Sequence, residues 1–190
     1  MLGKWRLRRI RFLQGRKTIN TMRVPVLAFL AIILTGTLLL MLPVSTASGE
    51  SAPFGTALFT ATSAVCVTGL VVVDTATYWS LAGQIIILCL IQIGGLGVIS
   101  VAAALALLSG HRFSLMQRST MQEALAAPSL GGIVRLTRFL LKGVILIELL
   151  GAVALLPVFL PDFGARGIFL SMFHGVSAFC NAGFDLMGQT

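Results

Sequence analysis

The chain has 190 residues, 57% of them hydrophobic and only 11% charged. A soluble domain covers its surface with about 25% charged residues, and here the blocks from Val24 to Gly49 and from Thr75 to His111 contain no Asp, Glu, Lys or Arg at all. Each block is long enough for the ~20-residue span of a bilayer core, which excludes a soluble helical bundle and predicts an all-α integral membrane protein. The net charge of +8 is informative through its placement.

Residues 1–23 hold Lys4, Arg6, Arg8, Arg9, Arg11, Arg16, Lys17 and Arg23 and no acid. Such a run alone could suit nucleic acid. Directly before a hydrophobic span it reads as a basic cytosolic tail lying against anionic lipid, and no nucleic-acid partner is expected. Pro25 to Met41 forms the first span, ended by Leu42-Pro43. The apolar run is too long for a signal-peptide core of about 7–15 residues, so the span is read as retained despite the small residues at Ser45-Thr46-Ala47.

Pro53 opens a short helix over 53–65, broken by Thr56, Thr60, Thr62 and Ser63. Thirteen residues at about 1.5 Å each reach about 20 Å, short of the ~30 Å hydrocarbon core. Cys66-Val67-Thr68-Gly69 then favours extended backbone over helix. The segment reads as a half-helix that enters the membrane and returns as a strand over 66–70, a backbone tolerated at that depth only inside protein or beside a water-filled path. Leu81 to Leu108 is the second full span, closing a first pore unit over 24–108. Its Gly94-Gly95-Leu96-Gly97 hints loosely at a dinucleotide loop, but no βαβ unit surrounds it. Close helix packing through small residues is the better reading.

Residues 109–134 read as a cytosolic amphipathic linker, with Phe113, Met116, Met121 and Leu125 on one face and Ser114 as its N-cap. A second pore unit follows over 135–190. Its span runs from Phe139 to Leu160, ended by Pro157 and Pro161, and contains Glu148. A carboxylate inside a span is a functional candidate, with a paired, bundle-facing structural residue as the alternative. A second half-helix over 167–179 leads to a second strand over 180–184. Basic residues crowd the tail and the linker, whereas residues 44–80 hold only Glu50 and Asp74. The positive-inside rule therefore places the N-terminus in the cytosol and both short loops outside.

The two short segments are copies. Shifted by 114 positions, Phe59 falls on Phe173, Ser63 on Ser177, Ala64 on Ala178, Cys66 on Cys180 and Gly69 on Gly183, five identities across positions 57–70. Repeats of this kind place an ion path at their interface. The chain holds about one and a half such units, which cannot surround a pore, so a fragment or an assembly of several chains is expected. Neither 66–70 nor 180–184 contains Asp, Glu, Lys or Arg. A divalent cation would want carboxylate oxygens, and an anion path would want Arg or Lys. A cage of backbone carbonyls from Cys66, Val67, Thr68, Gly69, Cys180, Asn181, Ala182 and Gly183 suits a weakly hydrated monovalent ion. K⁺ is favoured and Na⁺ stays open. Glycine supplies the positive φ that carbonyl alignment needs. An ordinary turn between helices is the bland alternative for each glycine taken singly. The three cysteines have no metal-ligand spacing: Cys66 and Cys180 are expected behind the strands, and Cys89 as a small buried residue. No organic cofactor is expected, and His111 and His174 lack partners for enzyme chemistry.

Three stretches carry a family resemblance. Thr62 to Thr75 resembles the first pore loop of the Trk/Ktr/HKT potassium transporter superfamily, Ile91 to Gly97 its following helix, and Ser177 to Phe184 its second pore loop. Gln122 to Leu125 fits the loop between units. The resemblance covers roughly residues 24–184 and is closest to the membrane subunit of bacterial Ktr systems. It implies four such units around one pore in a bacterial plasma membrane, with one filter glycine from each, here Gly69 and Gly183. It further implies a homodimer and a cytosolic ring of nucleotide-binding regulatory subunits (KtrA/TrkA-like), for which the basic tail and residues 109–134 are plausible contacts. The rival readings are a Na⁺- or H⁺-coupled secondary transporter using Glu148 and a non-transporting assembly protein.

Overall fold

The computed structural model describes residues 26–97 and 133–188. The basic tail, residues 98–108 of the second span, and the linker with its Ser114 cap, His111 and Gln122 to Leu125 lie outside the described residues. Within them the chain is helical with no β-strand.

Helix α1 spans Val26–Leu40. It turns Leu27, Leu30, Leu34 and Leu38 outward and buries Thr37 and Leu40. The Thr37 hydroxyl donates to the Ile33 carbonyl at 2.7 Å, which satisfies it within its own helix. Gly36 lets α1 approach closely, since a Cβ there would stand 2.8 Å from Leu90 Cδ1. A short 3-10 turn, Pro43–Ser45, then leads to α2, Phe54–Val65. At 12 residues it is about 18 Å long and cannot cross a bilayer core.

Helix α3 is one turn, Thr75–Tyr78, capped by Asp74, whose carboxylate accepts from the Ala76 N–H at 3.1 Å and the Thr77 hydroxyl at 2.6 Å. Buried Gln84 donates its amide to the carbonyls of Ala76 and Trp79 at 3.2 and 3.0 Å, taking up orphan acceptors at the end of α3. Loop 44–50 is stitched to this corner: Ala47 donates to Tyr78 O, Ser80 donates to Ser45 O, and Trp79 is buried beneath.

Helix α4, Leu81–Leu96, begins at a Ser80 cap and ends where Gly97 takes φ +76°. The described helix thus ends at Gly97, whose left-handed backbone cannot continue a helix, and the rest of the expected span to Leu108 lies outside the described residues. The small residues near that end make the close packing their composition suggested. A Cβ on Gly94 would strike the Val65 carbonyl oxygen, and one on Gly95 would strike Cys180 Sγ. So α4 stands directly behind the ends of both short helices. Gly94→Leu is expected to destabilise the protein by about 1–3 kcal/mol, the usual range for overpacking. The melting temperature of the purified full-length protein in detergent would fall accordingly.

Helix α5, Ile133–Phe163, runs for 31 residues. Pro157 and Pro161 were expected to end it, yet the helix passes through both and stops only at Gly164, φ +54°. Each proline removes one N–H and disturbs one turn. The two lie four residues apart on the outer face, where the lost bonds leave the packed face intact. Within Arg138–Phe163 the most apolar stretch is only 17% buried. The core helix of a soluble protein would be mostly covered, whereas outward Phe139, Leu146, Leu150 and Val153 suit a lipid boundary.

Helix α6, Ala165–Phe179, folds back on α5. A Cβ on Gly167 would lie 2.5 Å from the Phe159 carbonyl oxygen, and one on Gly175 would lie 3.0 Å from Ala152 N. Phe159 stacks on His174 with centroids 5.0 Å apart. The 15-residue helix starts two residues before the expected 167 and, at about 22 Å, is again too short to span.

Candidate functional site: paired turns at the ends of α2 and α6

Both short helices end in the same hydrogen-bonded cap. After α2, Cys66 donates to Thr62 O, Val67 to Ala64 O and Thr68 to Ser63 O at 2.8, 3.3 and 3.0 Å. After α6, Cys180 donates to Val176 O, Asn181 to Ala178 O and Ala182 to Ser177 O at 2.9, 3.0 and 2.7 Å. Every donor and acceptor in the second set lies 114 positions beyond its counterpart in the first. The pattern is that of a Schellman cap, whose pivotal residue is left-handed and usually glycine, sometimes asparagine. Asn181, φ +55°, fits that preference; Val67, φ +52°, does not. A β-branched residue in this region is strained by about 1–3 kcal/mol and persists only where its surroundings over-determine it.

Two residues further on, the backbone turns left-handed again, at Gly69 (φ +72°) and Gly183 (φ +71°). A helix cap does not require this second reversal. The strands expected over 66–70 and 180–184 are therefore not β-strands, because alternating hand breaks the extended path. Among the described residues, none of the carbonyls of 66–69 or 180–183 accepts a hydrogen bond.

The two turns meet at their glycines. A Cβ on Gly69 would stand 2.7 Å from Ala182 O and 3.0 Å from Gly183 Cα. All eight candidate residues, Cys66 to Gly69 and Cys180 to Gly183, thus lie in one place, with α4 behind them. Cys180 is half-buried against Gly95, as expected of a residue packed behind the turn. Cys66 is exposed instead, because the first turn presents that face outward. Cys89 is also exposed rather than buried. It looks into an apolar groove of about 550 Å³ between α4 and α5, lined also by Leu88, Leu141 and Leu149.

Glu148 is buried on α5 and accepts a hydrogen bond from Gln92 Nε2 of α4 at 2.8 Å. This is the paired, bundle-facing arrangement, and it joins the first half of the chain to the second. The sequence does not mark Gln92 as its partner, since 56 residues separate them and no local pattern links them. His174 has a structural partner set as well. Leu186 N–H donates to its Nε2 at 3.2 Å, so Nδ1 carries the proton that goes to the Leu170 carbonyl at 2.8 Å. The ring thereby anchors the backbone just beyond the second turn.

Among the described residues, one helix long and apolar enough to cross a membrane, shorter helices with outward apolar faces and no β-strand are the features of an all-helical membrane protein. The chain belongs to the TrkH family of cation transport proteins, whose sequence pattern matches residues 12–190. It is 46% identical over 176 residues to the potassium/sodium uptake protein NtpJ of Enterococcus hirae, covering 92% of this chain and 39% of that protein. Identity is 43% over 180 residues to the Ktr system potassium uptake protein B of Bacillus subtilis, covering 92% of this chain and 40% of that one. The Vibrio alginolyticus protein of the same name is 42% identical, with 88% and 37% covered. The chain thus spans about two fifths of the length of the relatives it matches.

Proposed function

We propose that this chain contributes two carbonyl-lined turns to a path for potassium ions across a bacterial plasma membrane, as part of a Ktr/Trk-type uptake system. The observation that carries the proposal is the meeting of two turns with the same capping hydrogen bonds, whose carbonyls accept no hydrogen bond among the described residues. Left-handed backbone recurs at alternate residues, Val67 and Gly69 in one turn and Asn181 and Gly183 in the other, which can bring successive carbonyls to one side, where they can replace an ion's hydration shell. Helices α2 and α6 both end at this point, and the negative end of a helix dipole favours a cation. With no Asp, Glu, Lys or Arg in either turn, the cage suits a monovalent cargo, K⁺ first and Na⁺ second. The relatives named for potassium uptake support the choice of ion.

On the same reading the chain is one and a half of four span, half-helix, turn and span units. The N-terminus lies in the cytosol, the full-length protein pairs as a homodimer among membrane lipids, and a nucleotide-binding regulatory subunit docks on the cytosolic side. The Ktr system naming of the relatives supports the last of these.

The test is rubidium uptake by potassium-starved cells that carry the full-length protein as their sole uptake route. Saturable uptake, displaced by K⁺, is the expected outcome. Its absence from cells that hold the folded protein in the membrane would overturn the proposal. Glu148→Gln, which keeps the shape and a partner for Gln92, is expected to retain at least about half of this uptake, since a neutral pair leaves the turns in place. A carboxylate that carried the coupling proton or Na⁺ would be lost in that variant, and uptake with it.

A further inference from the structure

The two turns are held from behind by serines in equivalent positions, Ser63 and Ser177, both buried. Each gives its backbone carbonyl to the residue five places on, Thr68 or Ala182. Their hydroxyls then part company. The Ser63 hydroxyl pairs with the Thr68 hydroxyl at 2.8 Å. Position 182 is alanine and offers no hydroxyl, so Ser177 instead donates to the Phe184 carbonyl at 2.6 Å. Ser177 therefore grips the backbone on both sides of Gly183: the Ala182 N–H before it and the Phe184 carbonyl after it. Ser63 grips residue 68 twice and nothing beyond Gly69, and Leu70 is 62% exposed. Phe184, by contrast, is buried, and the following Leu186 is tied to His174.

Resting on the carbonyl path described above, we propose that Ser177 is a specificity-determining positioning residue. By fixing the Ala182 to Phe184 backbone as one rigid arc, its hydroxyl sets the spacing of the carbonyls around Gly183 and so the size of ion the path accepts. It acts through the backbone and does not touch the ion. The same bond turns the Phe184 carbonyl toward the serine, so the second turn offers carbonyls only as far as Gly183. The first turn has no such tie, and its glycine is the more compliant of the two. Discrimination between ions by cavity size requires a cage that resists collapse onto the smaller ion. A short O–H···O bond of the observed length is at the strong end of the neutral range, and it is placed where that resistance is needed.

The experiment compares Rb⁺ and Na⁺ flux through the full-length protein reconstituted in liposomes. Wild type, Ser177→Ala, Ser177→Thr, Ser63→Ala and Gly69→Ser are measured side by side. Ser177→Ala is expected to lower the Rb⁺/Na⁺ ratio about tenfold, the factor that corresponds to roughly 1.4 kcal/mol of lost discrimination, mainly by raising Na⁺ flux. Ser177→Thr keeps the hydroxyl and should stay within about threefold of wild type, and Ser63→Ala, whose partner is another side chain, should lower the ratio less than Ser177→Ala does. An unchanged ratio in Ser177→Ala beside a lowered one in Gly69→Ser would overturn the role of Ser177 and leave the carbonyl path standing. Unchanged ratios in both would overturn the carbonyl path itself. If Ser177→Ala does not fold, Ser177→Cys takes its place, being close in size and only a weak donor. A wild-type ratio in that variant likewise overturns the proposal.

Discussion

Gly69→Ala in the full-length protein should reduce K⁺ or Rb⁺ flux at least about tenfold, and more severely than Gly183→Ala does. Two independent effects act at position 69. The residue sits at φ +72°, where an L side chain is strained by about 1–2 kcal/mol. Any Cβ also meets the other turn's backbone, 2.7 Å from Ala182 O and 3.0 Å from Gly183 Cα. Both atoms are backbone of the second turn and cannot swing aside as a side chain would, so the turns must separate and the carbonyl row must move with them. At Gly183 the φ penalty is similar, but the single close neighbour is Gly69 Cα at 3.1 Å. The comparison is read as flux per folded protein in liposomes. Equal losses in the two variants would show that φ strain alone governs the effect; a greater loss at Gly183 would contradict the observed juxtaposition.

The second large effect concerns the link between the halves of the chain. Gln92→Leu removes the donor to the Glu148 carboxyl and leaves a buried polar group among Leu88, Leu149 and Val176 of the apolar groove. Stranding a buried acceptor costs about 1–3 kcal/mol, more if it is charged. The folded yield and melting temperature of the single variant should fall clearly. The double variant Gln92→Leu, Glu148→Leu replaces both partners with apolar groups of similar size and should recover most of the loss. A double-mutant cycle on thermal stability measures this coupling. Additive effects would show that the two side chains do not depend on each other. Transport by the double variant is informative as well. Recovery of flux along with stability would assign Glu148 to the architecture, while a stable but inactive double variant would restore it as a carrier candidate.

Much of this arrangement is legible in the sequence. The short apolar runs at 53–65 and 167–179 fell within two residues of α2 and α6 because length and flanking turn residues bound a half-helix from both ends. The 114-residue offset found by identity in five side chains reappears in three pairs of backbone hydrogen bonds and two pairs of left-handed residues. The need for positive φ at Gly69 and Gly183 also followed from glycine's lack of a Cβ. What stayed hidden has physical causes too. Val67 is a β-branched residue in a left-handed cap, so local preference pointed toward extended backbone and away from the conformation it adopts. Pro157 and Pro161 break helices in isolation, but α5 gains enough from packing on α6 to carry both. The divergent roles of Ser63 and Ser177 are invisible in an identity, because they depend on whether residue 68 or 182 supplies a hydroxyl. The pairing of Gln92 with Glu148 depends on helix placement alone. The resemblance to the Trk/Ktr/HKT superfamily was carried by Thr62 to Thr75, Ile91 to Gly97 and Ser177 to Phe184. These are the stretches that form the first turn, the α4 packing surface behind both turns, and the second turn.

On this reading a cation is held by the backbone carbonyls of the two turns. Anomalous diffraction from crystals of the full-length protein grown or soaked with Rb⁺ tests it most directly, since the ion is then located without reference to activity. A peak is expected beside the carbonyls of residues 66–69 and 180–183, lost when Na⁺ alone is present. A peak at Glu148 with none at the turns would contradict it.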